Sequence, residues 1–273
     1  MTTLTLTKHH GLGNDFLVLL DAPAVDLAPL ARRLCDRRRG IGADGLLVAT
    51  PADGAAVRMT LFNADGSRAE MSGNGIRCFA QAVAAERGQL DDLLVHTDAG
   101  DRTVTMHTTD EPDTIVATVD MGDVARIDEP EGWLTLGCHP DRPVMHLSLG
   151  NPHSVVGVDE VGVVDLLDLG GKVPQVNLEI VEPGPEATAI TMRVHERGAG
   201  ITEACGTGAC AAAFAARAWG LVAGSADEVT VHMDGGTAIV GFDAERAGHV
   251  SLTGPATLVA TVQVDLDGEV QVA

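Results

Sequence analysis

Tyrosine is absent from the chain, and two Trp and five Phe supply all its aromatic bulk. Because 45% of the residues are hydrophobic, a full core is still available, but it has to be built from Val, Leu, Ile and Ala. Basic residues are scarce: 18 Lys and Arg stand against 39 Asp and Glu, a net charge of −21. Such a surface lacks the basic face that nucleic acid or an anionic membrane requires, so neither is expected as a partner. The same charge repels an acidic substrate at long range, so a site for one must be locally positive. No CxxC pair occurs, and the five cysteines (Cys35, Cys78, Cys138, Cys205, Cys210) are odd in number, which argues against a disulfide framework. No charged-then-apolar leader opens the sequence, and no run of about 18 apolar residues follows. A reduced, cytoplasmic protein is therefore expected. At 273 residues it has room for one large domain or two of about 130 residues.

What the chain does have is glycine, in two matched stretches: NADGSRAEMSGNGIRCFA from Asn63 and GITEACGTGACAAAF from Gly200. In each, a Glu precedes by two residues a small nucleophile-type side chain, followed by Gly-x-Gly and an apolar helical run. Glu70, Ser72, Gly73 and Gly75 match Glu203, Cys205, Gly206 and Gly208, at a spacing of 205 − 72 = 133 residues. The spacing predicts two related halves, each placing a reactive side chain at a helix start. Such a start leaves backbone N–H groups unpaired, carries about half a positive charge and attracts anions. A thiol there, as at Cys205, is expected to have its pKa lowered from about 8.5 toward roughly 3.5–7.5. Two such helix starts facing each other would hold a carboxylate and present one acid/base group to each side of its α-carbon.

Between these stretches the pattern predicts strands over 3–7, 16–20, 57–62, 93–97, 103–107, 115–119, 144–149, 177–181 and 188–194, then four more near 229–233, 238–242, 249–252 and 257–264. Helices are expected over 27–38, 76–87 and from Cys205 to about Trp219. The loop Gly122–Pro143, rich in Asp, Glu and Pro, reads as the crossing between halves. Gly40–Gly45 fits GxGxxG formally, but it follows a basic helix and precedes a strand, so the dinucleotide-binding context is missing. Cys78 and Cys210 lie inside helices and read as packing; Cys205 and Cys210 have no further cluster to complete a metal site. His9 and His10 read as structural. His153 alone reads as a satisfied structural histidine, with orientation of a base as its other role. Asn14 reads as a turn residue or as an amide aimed at substrate, and Glu196–Arg197 as a solvated surface pair.

The segments 9–19, 37–47, 62–80, 149–156, 176–181, 195–213 and 253–259 together resemble diaminopimelate epimerase, in order and spacing over nearly the whole chain. The resemblance implies an α+β fold of two pseudo-symmetric β-rich domains, each wrapped around a central helix, with the active site in the cleft between them. It places the first domain at 1–122, with the last strand, about 257–273, packing against it, and the second at 123–256. It also implies a homodimer that interconverts LL- and meso-2,6-diaminopimelate without cofactor or metal, by proton transfer at an α-carbon. Cys205 and Ser72 fall at the catalytic positions. Gly73, Asn74, Gly206 and Thr207 fall where backbone N–H groups hold the reacting carboxylate. Asn14, Asn63, Asn151, Asn177, Glu196 and Arg197 fall at substrate-binding positions, where Arg can grip a carboxylate in two-point fashion and Glu can accept from an ammonium. A proline-racemase-type epimerase or a catalytically impaired amino-acid-binding homologue are the other readings.

Two positions depart from the family pattern. Gly45 stands where a common version has Gln, which removes a substrate contact. Ser72 stands where the family has its first Cys. An alcohol is about as acidic as water and far less acidic than a free thiol, which lies at about 8.5. The gap corresponds to roughly 10 kcal/mol, against about 1–2 kcal/mol from a helix terminus. Ser72 is therefore expected to donate or relay a proton with help from a base, and to be a poor substitute for a thiolate.

Overall fold

The computed structural model describes residues 2–54 and 56–266. The chain divides into two compact units, one taking in residues up to Val119 and again from Pro255, the other Asp120–Gly254.

In the first unit the Thr/Leu alternation forms β1 (Thr2–Gly11), with Leu4 and Leu6 buried and Thr3 and Thr5 exposed. A tight turn at Leu12 and Gly13, both with positive φ (56° and 82°), reverses the chain into β2 (Asn14–Leu19). This is the turn hand that matches strand twist in a hairpin. After α1 (Leu27–Cys35), β3 (Gly45–Pro51) runs parallel to β2, and β4 (Val57–Asn63) runs antiparallel to β3. The short β5 (Arg68–Ala69) then leads to α2 (Gly73–Arg87). Strands β6 (Leu93–Thr97), β7 (Gly100–Thr108) and β8 (Thr114–Asp123) follow.

The second unit repeats the plan. After β9 (Ala125–Arg126) come the antiparallel pair β10 (Val144–Ser148) and β11 (Pro152–Gly157), then α3 (Leu166–Lys172). Strand β12 (Asn177–Pro183) is parallel to β11, and β13 (Ala189–Glu196) is antiparallel to β12. The short β14 (Gly200–Thr202) leads to α4 (Gly206–Trp219), and β15 (Glu228–Met233), β16 (Gly236–Phe242) and β17 (His249–Leu266) complete the unit. The sequence of parallel and antiparallel pairings is the same in both units. The far end of β17 pairs with β1, and Leu258 N–H donates to the Asp113 carbonyl, so the first unit's strands close on themselves.

Each of the two long helices is buried almost all round. That is possible for α4 because its residues are mostly Ala and Gly, and for α2 because its polar Asn74, Arg77 and Gln81 are satisfied internally. The strands beside them are covered on both faces, which is why NLEIV in β12 is buried without alternation. Leu46 and Val48 pack toward α1, with Leu30, Ala31 and Leu34. Leu178 and Ile180 pack in a cluster with Trp133, Val161 and Leu166. The alternate residues Leu47 and Glu179 therefore point the other way, toward the long helices.

The structure departs from the sequence expectations in several places. The passages between units fall inside β8 and β17, not in the Gly122–Pro143 loop, because that loop's Ala125–Arg126 pairs with β10 and its Trp133 joins the second unit's core. The helix expected over 27–38 stops at Cys35, where the Asp36 side chain instead caps the N–H groups of Arg38 and Arg39. The expected strands at 249–252 and 257–264 are one continuous strand; residues 267–273 of the last segment assigned to the first domain lie outside the described residues.

Candidate functional site

The strand pairing of the two units superimposes residue by residue, and this assigns each site position its counterpart. Phe16 is level with Gly45 and Gly45 with Asn63 in the first unit. In the second, His153 is level with Asn177, and Leu178 with His195, which sets Asn177 level with Glu196. Asn14 thus corresponds to Asn151, Gly45 to Asn177, Asn63 to Glu196 and Leu47 to Glu179. Leu61 pairs with Ala69 as Val194 pairs with Thr202, which brings Ser72 into register with Cys205.

Ser72 and Cys205 are both N-caps with extended backbone (φ −136°, ψ 123° and φ −125°, ψ 114°). Ser72 Oγ accepts from Gly75 N–H at 3.0 Å, and Cys205 Sγ accepts from Gly208 N–H at 3.4 Å. The helix itself gives no partner to its first two N–H groups, those of Gly73 and Asn74 and of Gly206 and Thr207. The second glycine is needed for space in the Cys205 loop, and far less so in the Ser72 loop. A Cβ at Gly208 would come within 2.7 Å of Glu179 Oε1 and 3.2 Å of Cys205 Sγ; one at Gly75 would lie 3.1 Å from Ser72 Cβ.

A chain of polar groups backs each helix start. In the first unit Arg77, fully buried, donates to the Gly73 carbonyl and, at 2.8 Å, to Asn74 Oδ1. Asn74 Nδ2 donates to Asn14 Oδ1, and Asn14 Nδ2 donates to Asp44 Oδ2 at 2.7 Å. Asp44 and Asp15 are held by Arg37, and Asp15 also by Lys8. In the second unit Glu179 Oε1 and His153 Nδ1 lie 2.6 Å apart with both side chains fully buried. His153 Nε2 is 3.1 Å from Asn151 Oδ1, Asn151 Nδ2 is 3.2 Å from Thr207 Oγ1, and that oxygen is 3.5 Å from Cys205 Sγ.

The remaining positions are held individually. Asn63 Nδ2 donates to Ser67 Oγ across its turn. Asn177 is buried, with Oδ1 accepting from Arg197 N–H and one Nδ2 proton donated to the Pro152 carbonyl, which ties two backbone segments together. Glu196 accepts from the Thr202 hydroxyl, and the Arg197 side chain is exposed.

The electrostatics of Cys205 reverse the sequence expectation. Burial, then the nearby Glu196 carboxylate, pushes its thiol well above the ordinary range. Thr207 and Gly208 donate hydrogen bonds that favour the thiolate, but these and the helix start are outweighed by lost solvation. In the empty site Cys205 is therefore a thiol, ready as an acid. Cys78, fully buried in α2, is pushed up to about 12 by burial, as suits a packing residue. The sequence reading missed Glu179, Arg77 and Asp44. A Glu inside an otherwise apolar strand was the available signal for Glu179; nothing local marks Arg77 or Asp44.

A sequence profile of the family described as diaminopimelate epimerase matches residues 6–127 and 145–259. The diaminopimelate epimerase of Thioalkalivibrio sulfidiphilus is 40% identical over 294 residues, covering 96% of this chain and 99% of its own. That of Desulforapulum autotrophicum is 36% identical, with the same coverage of both chains. Among solved structures, a phenazine biosynthesis protein of the PhzF family from Bacillus anthracis aligns with a TM-score of 0.76 at 16% identity, covering 97% of this chain and all of its own. A hydroxyproline epimerase from Agrobacterium vitis aligns with a TM-score of 0.72 at 19% identity, covering 98% of this chain and 94% of its own. These two likenesses are of fold. The profile and the sequence relatives, which span nearly the full length, establish that the chain belongs to the diaminopimelate epimerase family.

Proposed function

We propose that the chain interconverts LL- and meso-2,6-diaminopimelate by moving a proton across one α-carbon, with Cys205 on one face and Ser72 on the other. The observation that carries this reading is the match between the two helix starts. In both, an N-cap side chain able to carry a proton accepts from the third N–H of the helix, at its positive end. The N–H groups of Gly73, Asn74, Gly206 and Thr207 hold the reacting carboxylate and the charge that develops as the α-proton leaves. Asn14, Asn63, Asn151, Asn177, Glu196 and Arg197 hold the substrate, with Arg197 taking the far carboxylate and Glu196 the far ammonium. Arg197 supplies the local positive charge that a −21 chain otherwise denies a dicarboxylate.

The proton chemistry needs no cofactor and no metal. Cys205 starts as a thiol. The substrate ammonium, brought beside Glu196, offsets the carboxylate that opposes the thiolate, and so lets Cys205 act as base in the reverse direction. From one isomer the Cys205 thiolate takes the α-proton while Ser72 gives its hydroxyl proton to the opposite face and takes one up from water in the same step. From the other isomer the Cys205 thiol gives its proton while Ser72 takes the α-proton and passes its own hydroxyl proton to a base in solvent, so no free alkoxide forms. The enzyme works as a cytoplasmic homodimer. Ser72 supports one other reading, a homologue that binds the amino acid without inverting it.

The test is to incubate pure LL- and pure meso-diaminopimelate with the enzyme and follow stereochemistry by NMR. Inversion of both, with no inversion of proline or hydroxyproline, is expected. Binding without inversion would establish the impaired homologue. Ser72→Cys is expected to raise kcat by about tenfold or more, because a thiol ionises far more readily than an alcohol.

A further inference from the structure

The two units share one packing plan, and one buried pair of strand residues changes from apolar to ionisable between them. Where the first unit has Phe16 and Leu47 on β2 and β3, the second has His153 and Glu179 at the same register positions of β11 and β12. The apolar pair shows that the plan folds without an ionisable group there. Replacing a buried ion pair by hydrocarbon is often neutral or stabilising, so stability does not explain the polar pair. Its location does, since Glu179 Oε1 lies beneath Gly208, next to Cys205 Sγ.

The direction of the hydrogen bonds follows from the atoms. Asn151 Nδ2 donates to Thr207 Oγ1, which leaves the Thr207 hydroxyl proton to point at Cys205 Sγ. Asn151 Oδ1 can only accept, so His153 Nε2 must be the protonated nitrogen. A neutral imidazole then has a bare Nδ1, and the partner 2.6 Å away must be a donor. A carboxylic acid O–H on Glu179 fills that role, whereas an imidazolium would donate from Nδ1 to a Glu179 carboxylate; the second carboxyl oxygen distinguishes the two. The second carboxyl oxygen, Oε2, is buried with no partner among the described residues, which a neutral carbonyl oxygen tolerates better than a carboxylate does. Desolvation acts in the same direction and raises the Glu179 carboxyl above its usual range. The ionisable groups facing it are His153 on β11, Glu196 on β13 and Cys205 at the head of α4.

We propose that Glu179 is a positioning residue that carries a proton in the resting protein and thereby aims an unbroken run of donors, through His153, Asn151 and Thr207, at the Cys205 sulfur. It touches neither substrate nor the reacting carbon. Its proton fixes the His153 tautomer, the tautomer fixes the Asn151 amide, and the amide fixes the Thr207 hydroxyl that steadies the thiolate when it forms. An anionic Glu179 would break this order and place a second negative charge beside the sulfur. The catalytic consequence rests on Cys205 being the acid/base group, as proposed above.

The experiment is the pH dependence of iodoacetamide alkylation at Cys205 in the full chain, read by mass spectrometry of its peptide, with kcat and KM measured alongside. Glu179→Gln keeps a donor toward His153 Nδ1 and removes no charge from a neutral group, so its alkylation midpoint is expected within about 0.3 pH unit of the parent. Glu179→Leu, which copies the first unit, is expected to raise the midpoint by about 0.5–1 unit and to cut kcat roughly tenfold or more with KM changed less than about threefold. Gln should restore most of the turnover that Leu loses. An infrared carbonyl band of a protonated carboxyl, lost in Glu179→Gln, is the direct signature. A Gln midpoint lower by about one unit or more would show that a negative charge had been removed, and would overturn the proposal. So would a Leu variant with parental midpoint and kcat. The alkylation midpoint is readable without turnover, so a parent chain that inverts no diaminopimelate would sink the functional reading while leaving this test intact.

Discussion

At the level of single residues, Cys205 is governed by what surrounds it more than by the helix it caps. The sequence places a thiol at a helix start, and the rule for such thiols predicts easy ionisation. Glu196 arrives from β13, distant in sequence from Cys205, and its carboxylate raises the cost of a thiolate in a buried site. The helix position was legible in Gly-Thr-Gly; the opposing charge was not, because it depends on which strand lies beneath the helix. Alkylation of Cys205 in the empty protein is accordingly expected to be slow at neutral pH. It should accelerate only above the midpoint of about 8.5 that an ordinary thiol shows. Glu196→Gln removes one opposing carboxylate and should move that rise to lower pH by about 0.5–1 unit, read from alkylation rate against pH. A midpoint unmoved by Glu196→Gln would mean that burial alone sets the thiol.

At the level of elements, the two glycine loops look alike in sequence and differ in what lies under them. Gly208 has a carboxyl oxygen of Glu179 2.7 Å from where its Cβ would be, whereas Gly75 has the side chains of Ser72 and Phe16 at 3.1–3.3 Å. Gly208→Ala is expected to destabilise by about 1–3 kcal/mol through overpacking. Gly75→Ala should be close to neutral, because its mild crowding is offset by the roughly 1 kcal/mol that Ala gains over Gly in a helix. Denaturant midpoints of the two variants make the comparison. Strong elements were readable in advance: the long helices from their apolar runs and glycine ends, β1 from its strict alternation. Strand β11 was missed because Asn-Pro-His reads as a turn, and α3 because LLDLGGK has two glycines and only two turns of length. Both find their structure through partners, β10 and β12 for the strand and the Trp133 cluster for the helix.

At the level of the whole molecule, the 133-residue echo read from two short motifs extends through the complete order of strand pairings. No local pattern could have shown that β8 and β17 each serve both units, since neither has a break in its alternation where the chain passes from one unit to the other. The charge of −21 acts on the chain as a whole. Self-repulsion should be relieved by salt, so the melting temperature is expected to rise between about 0.02 and 0.5 M NaCl, over which the screening length shortens severalfold. A flat or falling Tm would show that the acidic groups are locally compensated. The central claim is that two different groups serve the two faces of one α-carbon. It is tested most directly by starting the reaction in D₂O from each pure isomer and following label at early times. The account predicts deuterium in the inverted product with the recovered substrate still protiated, from either side, and loss of turnover in Cys205→Ala. Deuterium appearing as fast in recovered substrate as in product, or normal turnover in Cys205→Ala, would contradict it.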